Sequence, residues 1–267
     1  MAYWIRTSPT TLAPTAHVGG AWSESQQHIA PAFGVLVHEV ERHLAARREA
    51  PLPVVSRLSF DILGPIPLEP LEIEVEVLRP GRSIELVQAT ARHDGRAAVL
   101  LRAWLCAEHD TAGLAGTHLP PVPRADELDA WDGTATWPGG FIASVELRRR
   151  ELAAGRSHTR VRTHHPLVDD EPASPLAATV GLVDITNGVA VRVDPREVAF
   201  PNLDLTIHLL RAPQWSGNER TESGSGGWLG LDTQVSFGPG GLGITQSVLH
   251  DDLGPFAISA QTLTVRP

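Results

Sequence analysis

The sequence predicts an α+β fold built from two tandem copies of one unit, a helix followed by an antiparallel sheet. Three observations indicate this fold: a long helical period followed by alternating strand patterns, a proline-rich break in the middle of the chain, and a second helix-and-strand series after that break. We expect an N-terminal domain over residues 1–110, a linker over residues 111–139 and a C-terminal domain over residues 140–267.

The first half begins with a long amphipathic pattern. Apolar residues recur with a period of about 3.6 residues between Ser25 and Arg48, which predicts a helix there. Alternating patterns then predict strands, and the pair Asp94-Gly95 is typical of a tight hairpin turn. The predicted strands surround Leu58–Ile62 and Leu71–Val77 and span Ile84–His93 and Ala97–Cys106.

The second half repeats this order with a shorter helix. Pro175–Asp184 is predicted as that helix because Ser174 can act as N-cap and Pro175 suits the first helical position, and Gly188 could end it. The polar segment between Trp215 and Gly227 is predicted to be a mobile loop. The strand-like segments are Phe141–Arg150, Arg156–His164, Leu203–Leu210, Trp228–Phe237, Gly243–His250 and Phe256–Val265.

Charge and composition exclude several classes of function. The formal net charge of −9 argues against a nucleic-acid partner. All 22 basic residues are arginine, so chemistry that needs a lysine amine, such as pyridoxal phosphate attachment, is excluded. No apolar run is long enough to span a bilayer, the N-terminus lacks a signal-peptide pattern, and Cys106 is the only cysteine. We therefore expect a cytoplasmic protein with no membrane association.

Three features with possible chemistry do not fit their contexts, and a fourth motif is absent. Gly238–Gly243 matches a dinucleotide fingerprint but precedes a strand instead of a helix, so a glycine-rich hairpin is favoured. No GxSxG nucleophile motif occurs. Cys106 lies in an alternating strand as a small hydrophobe, and His164-His165 has no zinc-ligand spacing with its acidic neighbours. The sequence thus predicts neither a cofactor nor a metal.

A difference in polar residues between the two halves indicates that the second half carries the catalytic site. When Gly95 and Gly254 are aligned as turn glycines, three polar residues of the second half differ in type from their first-half counterparts. Asp204 aligns with Ser59, Ser236 with Val77 and Gln261 with Arg102. Such divergence is expected when one copy keeps a site, although ordinary surface drift also produces it.

The same residues carry a resemblance to a known family. The segments Phe200–Thr206, Arg211–Pro213, Trp228-Leu229, Gly241–Asp251 and Gln261–Leu263, with Trp22 and Gln27-His28 before the first helix, resemble the acyl-CoA thioesterase II-like family. This resemblance spans nearly the whole chain. It implies a double hotdog fold, in which each helix is wrapped by an antiparallel sheet and the two sheets continue as one, and it implies homo-oligomers.

The resemblance also implies a mechanism and its residues. It implies hydrolysis of an acyl-CoA thioester by water held between an aspartate, a serine or threonine, and a glutamine. Asp204, Ser236 and Gln261 fit these positions, with Thr233 as a competitor for the hydroxyl. An aspartate is ionised at neutral pH and can accept a proton from water, while a hydroxyl and an amide can orient that water.

One departure from the family keeps other functions open. The family often has a glycine pair after the histidine at the helix entry, whereas His28 is followed here by Ile29-Ala30, and His28 itself could be a helix cap. A non-catalytic acyl-CoA-binding or scaffolding protein is one alternative. A hotdog hydratase or dehydratase is another, but His208 would lie about 13 Å along an extended strand from Asp204, too far to pair.

Overall fold

Two halves with the same order of elements make up the structure, a computed structural model that describes residues 1–20, 22–215 and 227–267. The segment 216–226, most of the predicted mobile loop, lies outside the described residues. The helices are α1 (Ile29–Arg47), α2 (Gly140–Ala143), α3 (Pro175–Val183) and α4 (Thr186–Val189). The strands are β1 (Trp4–Arg6), β2 (Thr11–Pro14), β3 (Val54–Ile62), β4 (Leu71–Arg79), β5 (Ile84–His93), β6 (Arg96–Cys106), β7 (Asp129–Ala130), β8 (Val145–Ala153), β9 (Arg156–Thr163), β10 (Asp204–Leu209), β11 (Leu229–Phe237), β12 (Leu242–Asp251) and β13 (Gly254–Thr264).

Within the described residues these thirteen strands form a single sheet. Its order is β1-β2-β4-β5-β6-β3-β10-β13-β12-β11-β9-β8-β7, and neighbouring strands pair antiparallel. The halves join where β3 pairs with β10, with Phe60 opposite Leu205 and Ser59 opposite Thr206. The predicted doubled α+β fold with one continuous sheet is therefore confirmed.

The sheet curves around two helices that cross at a pair of glycines. A Cβ atom on Gly34 of α1 would lie 2.8 Å from the Cα atom of Gly181 of α3. Phe33 of α1 stacks on Phe60 of the sheet with ring centroids 4.2 Å apart, and both side chains are fully buried. The core therefore lies between the inner face of the sheet and the two helices, which approach closely because neither has a side chain at the crossing.

Replacing Gly34 with alanine should destabilise the fold by roughly 1–3 kcal/mol, because the new methyl group would meet backbone atoms of α3. The expected cost exceeds the gain of about 1 kcal/mol in helix propensity. Chemical denaturation measures the free energy of unfolding. Gly113→Ala is the control, since a Cβ atom there meets nothing within 4 Å. Equal changes in the free energy of unfolding for the two substitutions would contradict the close approach of α1 and α3.

The predicted elements agree with the structure except at a few ends. The first helix begins at Ile29 and not near Ser25, because His28 is its N-cap. The second begins at Pro175 with Ser174 Oγ accepting the Ala177 N–H, as predicted. That helix ends at Val183, however, and Gly188 lies within α4 instead of ending it.

Two segments need correction. The predicted strand Phe141–Arg150 begins with the short helix α2, and its strand starts at Val145. The predicted linker is attached to the second half: β7 pairs with β8, the Pro120 carbonyl oxygen accepts from His250 Nε2, and the Pro123 carbonyl oxygen accepts from Arg160 Nε. Strands β1 and β2 were not predicted, since they are only three and four residues long.

Candidate active site

Asp184 stands directly after α3, at the end of an otherwise apolar helix. The preceding residues Leu176–Val183 are mostly buried, and Asp184 itself is only 4% exposed. Because α3 packs on α1 inside the curved sheet, the end of α3 brings this carboxylate to the inner face of β13. A carboxylate is thus enclosed in the second half of the core.

Two amide groups bind the same oxygen of this carboxylate. Gln261 Nε2 and Asn202 Nδ2 each donate to Asp184 Oδ1 at 2.7 Å. No donor to Asp184 Oδ2 is present among residues 1–20, 22–215 and 227–267, and Oδ2 is not one of their fully buried, unpartnered side-chain atoms. One carboxylate oxygen is therefore held in place and the other remains available to accept a proton.

A hydroxyl group fixes the orientation of Gln261. Thr186, fully buried at the start of α4, donates from Oγ1 to Gln261 Oε1 at 2.8 Å. With its oxygen occupied by this donor, the amide directs its Nε2 toward Asp184. Thr186, Gln261 and Asp184 therefore form a chain of hydrogen bonds with a defined direction.

Burial dominates the acidity of Asp184. It raises the pKa of Asp184 to about 7, while the hydrogen bonds from Asn202 and Gln261 act in the opposite direction. Both donors are neutral amides, and the effect of desolvation is larger than the opposing effect of their hydrogen bonds. A carboxyl group with a pKa near neutrality can both accept and return a proton under ordinary conditions.

Asp184 and Asn202 line a cavity of about 770 Å³. Its apolar lining includes buried side chains, namely Trp137, Ile142, Leu147, Ile185 and Val189. Its other lining residues include exposed side chains, among them Trp22, Leu63, Leu203 and Arg266. The cavity is therefore largely apolar, is open to solvent where its exposed residues lie, and has the Asp184 carboxylate in its wall.

The N-terminus of α1 lines the same cavity. Gln27, His28 and Ile29 all belong to its wall. The Ile29 N–H is at the first helical position, where it has no partner within the helix, and no acceptor for it is found in the described part of the chain. The helix dipole places positive potential at this end, so an anionic oxygen would be stabilised there.

His28 is a neutral cap of this helix. Its Nδ1 accepts the Ala30 N–H at 3.2 Å, and its ring lies 4.2 Å from that of Phe141. Complete burial lowers the pKa of His28 to about 3, so the ring is neutral and its proton is on Nε2. The capping interpretation of His28 is confirmed, and the neighbouring residue Ile29 forms part of the cavity wall.

The structure does not bring the three sequence-predicted residues together. Gln261 faces inward and contacts Asp184, but Asp204 begins β10 on the opposite face of the sheet, where Asp204 Oδ1 accepts the Thr262 N–H at 2.5 Å. Ser236 is exposed on the same outer face, two strands from Thr262, or roughly 10 Å. Asp204 and Ser236 therefore do not lie beside Gln261 in the structure. The competitor Thr233 is buried and bonds Ser247.

A difference between two hairpin turns explains the error. Gly95 is a turn residue between the paired residues His93 and Arg96, whereas Gly254 already belongs to its strand, paired with Asp251. Gly254 therefore corresponds to Arg96, and Gln261 corresponds to Ala103 rather than Arg102. A shift of one residue moves a side chain to the other face of a sheet. The alignment on the turn glycines therefore compared the inward-facing Gln261 with the outward-facing Arg102.

Asp184, Asn202 and Thr186 were missed by the sequence analysis, although the sequence contains a signal for the first. Asp184 is an acidic residue at the C-terminal end of an apolar helix, where the helix dipole disfavours negative charge. An unfavourable charge inside an apolar segment is typical of a functional site. No comparable signal marks Asn202 or Thr186, whose importance depends on the packing of distant segments.

Neither a metal centre nor a membrane span is recognised in the described ranges. No group of three or more histidine, cysteine, aspartate or glutamate side chains there could hold a metal ion. No helix among those residues is long and apolar enough to cross a bilayer.

Known proteins show what this chain resembles. The model of the acyl-CoA thioesterase N-terminal domain matches residues 18–106, and that of the C-terminal domain matches residues 116–265. None of the curated proteins matches the chain. The match to the N-terminal domain includes α1, and the match to the C-terminal domain includes Asp184, Asn202 and Gln261.

Solved structures match over nearly the full length at low identity. A hot dog fold protein of unknown function from Alicyclobacillus acidocaldarius has a TM-score of 0.73 at 15% identity, covering 98% of this chain and 95% of that one. The acyl-CoA thioesterase II TesB2 of Mycobacterium marinum has a TM-score of 0.63 at 18% identity, covering 98% and 95%. The tesB protein of Mycobacterium avium subs paratuberculosis has a TM-score of 0.63 at 16% identity, covering 99% and 96%.

These structures share the fold of this chain, and the two domain models together span most of its sequence. The chain is a double hotdog protein and belongs to the acyl-CoA thioesterase family.

Proposed function

We propose that the chain hydrolyses an acyl-CoA thioester with water activated by Asp184. The observation that carries this proposal is the buried Asp184 carboxylate, which has one oxygen held by two amides and lines an apolar cavity together with the N-terminus of α1. Gln261 keeps the role expected from the sequence, whereas Asp184 replaces Asp204 as the base, and Asn202 and Thr186 replace Ser236 as its polar partners.

In the proposed reaction a water molecule binds Asp184 Oδ2 and gives it a proton as its oxygen attacks the thioester carbon. Gln261 and Asn202 hold Oδ1, which fixes the plane of the carboxylate. The carbon–sulfur bond then breaks, and the proton on Asp184 passes to the leaving sulfur. The products are a carboxylic acid and a free thiol, and Asp184 returns to its starting state.

The negative charge on the thioester oxygen needs donors at the opposite side of the reacting carbon. Ile29 and His28 line the cavity, and the Ile29 N–H and the Nε2 proton of neutral His28 are the candidates for this role. Removing one donor of this kind from an enzyme typically lowers the rate by about 10²–10³. Since Ile29 and His28 come from the first half and Asp184 from the second, the proposed site requires both copies.

Thiol release from a panel of acyl-CoAs, followed with a thiol-trapping reagent, tests the proposal. Short, medium and aromatic acyl chains should be included, because the inner cavity combines aliphatic and tryptophan side chains. We expect release that requires the folded protein. Binding of acyl-CoA without release from any member of the panel would instead support a non-catalytic acyl-CoA-binding protein.

The pH dependence of kcat/KM should report the raised pKa of Asp184. A base acts in its deprotonated form, so kcat/KM is expected to rise about tenfold per pH unit below pH 7 and to level off above it. Initial rates between pH 5 and 9 measure this profile, and enzyme returned to pH 8 after exposure to each pH serves as the stability control. A midpoint near pH 4 would contradict a buried base.

The hydratase alternative has less support in this geometry. Such an enzyme would need a histidine paired with its acid, but His28 uses Nδ1 to cap α1, and the Asp184 partners within the described residues are amides. His208 is exposed on the outer face of β10, away from the cavity. Water addition to an unsaturated acyl-CoA, assayed beside thiol release, distinguishes the two reactions.

A further inference from the structure

We infer that Arg266 binds a phosphate group of a phosphopantetheine-containing ligand at the mouth of the cavity, an inference that rests on the proposed function for its choice of ligand. Arg266 is the only arginine that lines this cavity within the described residues, and its side chain is exposed. No ion pair to its guanidinium occurs in that part of the chain. The guanidinium is therefore available for an anionic ligand.

The negative net charge of the protein makes a cation at the cavity important for binding a phosphorylated ligand. The chain has a formal net charge of −9, and Asp184 adds a carboxylate to the cavity wall. A ligand with several phosphate charges would be repelled by the protein as a whole, so its binding requires a local cation. Arginine suits this role because its planar guanidinium can donate two parallel hydrogen bonds to phosphate oxygens.

The backbone holds Arg266 in a fixed place at the mouth. Its N–H donates to the Ala199 carbonyl oxygen at 2.8 Å, and the Ala199 N–H donates back to its carbonyl oxygen at 2.9 Å. This pair of bonds continues the sheet beyond the end of β13. Arg266 therefore extends the strand that also presents Gln261 to Asp184.

The spacing along this strand fits the length of a pantetheine arm. Arg266 follows Gln261 by five residues of extended chain, so their Cα atoms are roughly 16 Å apart. A pantetheine arm joins its sulfur to its first phosphorus through roughly thirteen covalent bonds, which span about 15 Å when extended. A thioester placed beside Asp184 can therefore have its first phosphate near Arg266.

Calorimetric binding of CoA and of pantetheine, which lacks phosphate, tests the assignment without requiring turnover. We expect Arg266→Gln to weaken CoA binding by about 5- to 20-fold and to leave pantetheine binding within about twofold, whereas Arg266→Lys should retain part of the affinity. Arg96→Gln is the matched control, because it removes the same charge from an exposed hairpin residue outside the cavity.

Three results would overturn the assignment: no CoA binding to the unaltered protein, an equal loss in Arg96→Gln, or an equal loss for pantetheine. Phosphopantetheine distinguishes the source of the phosphate. If it responds to Arg266→Gln as CoA does, the contact is with the phosphate that CoA shares with carrier-protein thioesters. If CoA alone responds, the contact is with a phosphate on its nucleotide side. CoA binding that depends on Arg266 without any thiol release would contradict the proposed function alone.

Discussion

Asp184→Asn should lower kcat for thioester hydrolysis by about 10²–10⁴-fold while the protein stays folded. Asparagine keeps an oxygen that can accept from Gln261 and Asn202, so the hydrogen bonds around this position can persist. What is lost is the group that takes a proton from water, and general-base catalysis typically contributes a factor of this size. Thiol release under saturating acyl-CoA measures kcat.

Asp204→Asn is the matched control for this experiment. It makes the same chemical change on the outer face of the sheet, where an amide oxygen can still accept the Thr262 N–H. Its kcat should stay within about twofold of the unaltered protein. A large loss in Asp204→Asn with little effect of Asp184→Asn would restore the residue set expected from the sequence and contradict the one proposed from the geometry.

The fold could be predicted because its determinants are local. The apolar period of α1, the Ser174-Pro175 start of α3 and the Asp94-Gly95 turn each specify an element from neighbouring residues. Both turn residues have positive φ, 47° for Asp94 and 73° for Gly95, as the tight hairpin requires. Repetition of these signals after residue 140 was enough to indicate two copies.

The site could be predicted only in part because it depends on the packing of distant segments. Gln261 was found, but its partner Asp184 is 77 residues away, and the contact exists only because α3 ends over β13. Asp204 was chosen through an alignment of turn glycines that the two hairpins do not share, and through the family resemblance of the segment around it. Local patterns determine which residues alternate on a strand, but the register between strands decides which face reaches the core.

Burial of Asp184 suits the proposed catalysis, but it should lower the stability of the folded protein when the carboxylate is ionised. A carboxyl group whose pKa is raised in the folded state binds its proton more tightly there than in the unfolded chain. Its contribution is therefore most favourable below the ordinary pKa of 3.8 and is lost as the pH rises through about 7. About three pKa units correspond to at most about 4 kcal/mol, and water in the cavity reduces this value.

We therefore expect Asp184→Asn to be more stable than the unaltered protein by about 2–4 kcal/mol at pH 8 and nearly equal to it at pH 4, because asparagine has no charge to bury. Chemical denaturation at the two pH values measures this difference. The raised pKa of Glu41, which also follows from burial, contributes equally to both proteins and cancels. Asp129→Asn, an exposed change of the same charge, should show no such pH dependence. If the difference in stability between Asp184→Asn and the unaltered protein were the same at both pH values, the pKa of Asp184 would not be raised by folding, and the carboxylate would be a weaker base than the proposed reaction uses.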